Sequence, residues 1–229
     1  MSRYVVANWK SHKTPAEAGQ WLSRFLKLYK PQTGVKVILA PAFPFLVPLQ
    51  QMLAEAKSGV ELASQDISAF PLGSYTGAVA AAMIQDLVGY SLVGHSERRR
   101  WFRETDQEVA NKVHEALAVG ITPIICVDQP YMRSQFAALA DQEVKQCLVG
   151  YGPVEAIGLD MPPAPERIQE AISQLHILAP DSPILYGGAV HGENAADYMQ
   201  IPGLSGLMVA TASLDPEKFV EICQQVAAS

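Results

Sequence analysis

Short apolar runs alternate with longer amphipathic segments from one end of the chain to the other. The runs are Tyr4–Asn8, Val35–Ala40, Val60–Ser64, Tyr90–Val93, Thr122–Val127, Gln146–Tyr151, Pro183–Tyr186 and Gly206–Ala210. Each is four to six residues long, mostly apolar, and bounded by Gly, Pro or polar residues. Such runs read as strands buried on both faces, as in a parallel sheet. Between them, Pro15–Tyr29, Thr105–Ala118, Ala164–Leu178 and Pro216–Ala228 read as helices. Strands alternating with helices predict a parallel α/β architecture. Periodicity alone leaves open whether the sheet closes into a barrel or stays open and doubly wound. The lack of a Gly-rich dinucleotide fingerprint weighs against the open form.

Composition narrows this picture modestly. A chain of 229 residues is long enough for one large barrel domain, and no linker or low-complexity tract divides it, so we expect a single domain over 1–229. The Pro-rich stretch Met161–Pro165 reads as a rigid loop entering a helix rather than a boundary. An apolar share of 49% and a charged share of 17% belong to a folded globular protein. The net charge of −6 argues against a nucleic-acid partner but leaves an anionic small molecule open, since local fields override the global sign. Three cysteines without metal-like spacing suggest reduced thiols, no metal site and a cytoplasmic setting. Neither a signal peptide nor a membrane span is expected.

Candidate chemistry gathers where strands end. Asn8-Trp9-Lys10 closes the first run; its lysine is either an ordinary solvated charge or a fixed cation for an anionic substrate and its developing oxyanion. Gly94-His95-Ser96-Glu97-Arg98-Arg99 follows the fourth run. Its histidine is either structural or, at a helix mouth that disfavours the imidazolium, a neutral donor to a substrate oxygen. Glu97 and Arg98 read as a packing ion pair beside it. Tyr186-Gly187-Gly188-Ala189-Val190 forms either a tight turn or a backbone cradle for an anion. The eighth run ends in Ala210-Thr211-Ala212-Ser213-Leu214 and then opens a helix, a second possible cradle.

In this order, these segments resemble the triose-phosphate isomerase family over essentially the whole chain, with Phe102–Asp106 and Thr122–Val127, including Cys126, also matching. The resemblance implies a (β/α)8 barrel with its site at the carboxyl ends of the strands. It implies a cofactor-free aldose–ketose isomerase that interconverts glyceraldehyde 3-phosphate and dihydroxyacetone phosphate. Lys10 and His95 inherit the electrophilic roles, with Glu97, Arg98 and Cys126 supporting them. Asn8, Gly158, Gly187, Gly188, Ala189, Ala210 and Thr211 fall at substrate-binding positions. Residues 65–83 resemble the loop by which family members form homodimers.

One station departs from the family. Gly150-Tyr151-Gly152-Pro153-Val154-Glu155 resembles the turn that carries the general base, yet Gly152 stands where the family has Glu. Glu155 is the nearest substitute, but it lies three residues on, roughly 10 Å of extended chain, and an odd offset turns it to the opposite side. It is either a displaced base or a solvated loop charge. The family's Ser is replaced by Ala189, and its Gly pair by Ala210-Thr211. Strongly impaired isomerase activity is therefore expected; the alternative is a silent relative that binds a small phosphorylated metabolite or a protein partner.

Overall fold

Every predicted apolar run overlaps a strand, and the sheet closes. The computed structural model describes residues 2–153 and 164–229. The strands are β1 (Arg3–Asn8), β2 (Val35–Ala40), β3 (Glu61–Ser64), β4 (Tyr90–Val93), β5 (Thr122–Val127), β6 (Leu148–Tyr151), β7 (Ile184–Tyr186) and β8 (Leu204–Val209). All neighbours pair in parallel, and β8 returns to β1 through Tyr4 opposite Gly206 and Ala7 opposite Val209. A closed ring leaves no unpaired sheet edge. The doubly wound alternative is thereby removed.

Ten α-helices lie among the described residues: α1 (Pro15–Leu28), α2 (Leu46–Ala56), α3 (Ala81–Ile84), α4 (Ser96–Trp101), α5 (Asp106–Ala118), α6 (Gln129–Ala137), α7 (Asp141–Val144), α8 (Pro165–Leu178), α9 (Ala195–Tyr198) and α10 (Pro216–Ala228). The helix boundaries follow local chemistry. Thr14 and Thr105 each form a capping box with a glutamate three residues on, Glu17 and Glu108. Thr105 is therefore the cap of α5 rather than its first turn. None of the described helices is long and apolar enough to cross a membrane.

Alternation along the strands sorts the core into two layers. Val6, Ile38, Ala63, Leu92, Ile124, Leu148, Leu185 and Met208 fill the barrel interior. Their neighbours in sequence, such as Val5, Val37, Val93, Ile125 and Val149, face the helices. There, Trp21 of α1 meets Trp9 edge-on at 4.7 Å and stacks on Phe25 at 5.0 Å. This outer layer fixes the loop after β1, where the candidate chemistry begins.

Candidate active site

The turn after β1 is held in an uncommon shape. The Asn8 side chain is buried, and its Oδ1 accepts the Lys10 amide N–H at 3.0 Å. Lys10 itself has φ +50°, a left-handed conformation that costs a non-glycine residue on the order of 1–3 kcal/mol. The Gln65 side-chain amide donates to the carbonyls of both Lys10 and Ala40 at 2.8 Å, locking the turn from the other side. So braced, Lys10 sends its Nζ to 2.7 Å from Glu97 Oε1 on α4. This lysine is a fixed cation, not a loose surface charge.

Gly94 links β4 to α4 at φ +72°, and a Cβ there would lie 2.7 Å from Arg99 Nη2. Only glycine fits such a turn readily. Its N–H donates to Glu104 Oε2 at 3.1 Å, while its carbonyl accepts from Arg99 Nε at 2.8 Å. The next residue, His95, caps α4: its Nδ1 accepts the Glu97 N–H at 3.2 Å. An accepting Nδ1 carries no proton, which leaves the proton on Nε2. Burial lowers the His95 pKa to about 4, outweighing the nearby Glu97 carboxylate. Near neutral pH the ring is thus a neutral donor, and its 3.7 Å approach to Glu97 Oε2 is not an ion pair. Desolvation by burial is the main cause of the lowered pKa.

Glu97 and Arg98 do not pair with each other as expected. Adjacent residues on a helix point in different directions. Glu97 turns to Lys10, whereas Arg98 reaches Asp66 at 2.8 Å and Glu104 at 3.0 Å. Lys112 joins the same two carboxylates, completing a four-membered, partly buried charge cluster.

The opposite side of the mouth is lined by small residues. Gly152 follows β6 and donates its N–H to the Val127 carbonyl at 3.0 Å. It faces a cleft of about 370 Å³ shared with His95, Ser96, Asp128 and Gly187. No acid stands at position 152, and Glu155 and Gly158 lie outside the described residues. Beneath the cleft, Met208 occupies the space over Gly150, whose Cβ would lie 2.5 Å from the methionine sulfur. Cys126 packs in the same interior layer; burial pushes its thiol up to about 12, so it stays protonated and serves as packing.

The first of the two candidate anion cradles differs from its sequence reading. The Gly187 N–H is already committed to the Tyr151 carbonyl at 2.7 Å, as part of the β6–β7 pairing. The chain then turns through Gly188, whose carbonyl accepts the Val190 N–H at 2.9 Å, and the Ala189 carbonyl is held by Asn194 Nδ2 at 2.8 Å. After β8 the segment through Leu214 leads into α10, as the sequence reading expects. Thr211–Leu214 forms a single 3-10 turn, closed by Ser213 N–H and Oγ–H bonds to the Ala210 carbonyl at 2.9 and 2.6 Å. Asp215 then caps α10. Ala210 is half-buried and Thr211 exposed.

Two residues of the site escape a reading of motifs. Gln65 is signalled by nothing local, because both its acceptors are distant in sequence. Asp128 is legible only if the two-residue alternation of Ile124 and Cys126 is carried one step past the strand.

Comparison with known proteins agrees with this geometry. A sequence model of the triosephosphate isomerase family matches residues 3–226. The triosephosphate isomerase of Thermus thermophilus is 38% identical, with 97% of this chain and 98% of that protein covered. Those of Symbiobacterium thermophilum (35%, covering 97% and 96%) and Aquifex aeolicus (34%, covering 97% and 98%) are also similar. With its closed barrel, its braced lysine and its neutral histidine, the chain belongs to the triosephosphate isomerase family.

Proposed function

We propose that this barrel binds a phosphorylated triose and isomerises it far more slowly than a member with an acid at position 152. The single observation behind this reading is the pairing of an intact electrophilic station with Gly152. Lys10 and the Nε2–H of His95 stabilise charge that develops on the substrate carbonyl oxygen. Abstraction of the carbon-bound proton needs a base within hydrogen-bond reach, and loss of such a base costs on the order of 10²–10⁴ in rate. Glyceraldehyde 3-phosphate turnover by the unmodified chain should therefore be far below that of a full-motif relative. A normal rate would refute the impairment.

A second reading, a silent relative that only binds a phosphorylated metabolite, draws on the committed Gly187 amide and on Ala210 and Thr211. Calorimetric titration with dihydroxyacetone phosphate, beside a turnover assay, separates binding from chemistry.

We also infer a homodimer formed through residues 65–83. Phe70 and Tyr75 stack at 4.6 Å yet remain exposed, as do Leu72, Met83, Trp101 and Phe102. Such apolar surface fits an interface better than a monomer's exterior. Sedimentation of the purified chain as a monomer at micromolar concentration would remove this inference. A cytoplasmic location is inferred from the family and from three buried, unpaired thiols.

A further inference from the structure

The turn between β1 and α1 contains a second lysine that the electrophilic station does not use. Lys10 and Lys13 are both left-handed, at φ +50° and +75°. Each such residue costs on the order of 1–3 kcal/mol and persists only where its surroundings over-determine it. For Lys10 the surroundings are Asn8 and, on the β2 side, Gln65. For Lys13 they lie on the other side of the turn, across the seam where β8 closes on β1.

Lys13 Nζ donates to the Leu214 carbonyl at 2.9 Å. Leu214 ends the 3-10 turn after β8, so one side chain joins two loops of the barrel mouth that are 201 residues apart in sequence. The ammonium also lies 5.2 Å from the centroid of the Trp9 ring and 6.0 Å from that of Trp21, within the range of cation–π attraction. Both indoles are buried, which makes them a fixed platform, and Trp9 is the immediate neighbour of Lys10. The acids whose charge Lys13 feels, Glu17 and Asp215, serve the caps of α1 and α10. A lysine that only solubilises the surface needs neither a buried aromatic platform nor a left-handed backbone.

We propose that Lys13 is a positioning residue. It pins the Lys10 turn to the Ala210–Leu214 corner and so fixes the span between the substrate-facing ammonium and the β8 side of the mouth. The inference rests on reading the site as one for a phosphorylated triose, which meets Lys10 through its carbonyl oxygen and reaches toward Ala210 and Thr211. A ligand held at both ends senses that span, and a misplacement of about 1 Å at a remote support costs on the order of 10²-fold. Gln65 and Lys13 thus act as two struts on opposite sides of one strained turn.

The test uses the full chain, with residue-resolved amide hydrogen exchange by NMR and calorimetric titration with dihydroxyacetone phosphate. Two bonded amides report the two ends of the pin: Lys10 N–H on Asn8 Oδ1, and Ser213 N–H on the Ala210 carbonyl. Lys13→Met keeps an apolar stem against the indoles but removes the donor. Exchange at both amides should rise on the order of tenfold, and ligand affinity should fall by a similar factor. Lys13→Arg, which restores a cationic donor, should return both toward the unmodified values. In a Lys10→Met background, Lys13→Met should no longer weaken binding, because its effect passes through Lys10. If Lys13→Met lowers the unfolding midpoint while both amides and the affinity hold, Lys13 only packs and the inference is overturned. A rise at one amide alone, or a loss of affinity that persists without Lys10, overturns it too. If the unmodified chain fails to bind the ligand, the phosphorylated-triose reading falls, and the paired amides alone decide whether Lys13 is a pin.

Discussion

Around β1 and β4 the site is held by side chains that bond back to the scaffold: Asn8 and Gln65 brace Lys10, Glu97 aims its ammonium, and Glu104 and Arg99 grip the Gly94 turn. Around β6, β7 and β8 the mouth is lined by Gly152 and Gly187, and the floor is a flexible methionine over Gly150. On the proposed reading, oxyanion stabilisation and proton abstraction draw on separate parts of the barrel. One can persist in full while the other is lost.

The sharpest way to break this comparison is to restore the acid. Gly152→Glu should raise glyceraldehyde 3-phosphate isomerisation by on the order of 10²–10⁴-fold, measured beside the unmodified chain. No gain would mean that the second half is defective beyond its base. The bracing of the first half can be tested at Gly94. Gly94→Ala forces a side chain into a left-handed turn and against Arg99, and should cost about 2–5 kcal/mol in denaturant unfolding.

Burial of His95 predicts a pH dependence with a definite sign. Its folded pKa, about 4, lies below the ordinary imidazole value of 6.5. The neutral ring therefore contributes stability that is present above pH 6.5 and lost as the pH falls toward 4. The loss is about 3 kcal/mol when complete. Unfolding midpoints for the unmodified chain should drop more steeply over that window than those of His95→Gln; parallel curves would contradict it. The smallest effect belongs to the yielding half. Gly150→Ala should cost about 1–3 kcal/mol, because the Met208 side chain can move aside.

Local features made much of this legible in the sequence. The strands, the main helices, Lys10 and His95 are all announced within a few residues by apolar runs, caps and strand-end motifs. What escaped detection depends on distance. The Lys10–Glu97 pair joins residues 87 apart, and Gln65 lies 55 residues from the carbonyl it holds. Asp128 needed the β5–β6 register before it could be set beside Gly152. Glu97 and Arg98 were misread because adjacency in sequence was taken for adjacency in space. Gly187 was misread because its amide had already been spent on strand pairing.

The Gln65 side chain carries one more implication. It stands at the root of the segment that bears Phe70 and Tyr75, and its amide grips the peptide of the lysine across the barrel rim. The two rings follow Gln65 by five and ten residues, and Gln65 holds the Lys10 carbonyl at 2.8 Å. On the proposed dimer, a loosened outer surface would reach the Lys10 turn through Gln65.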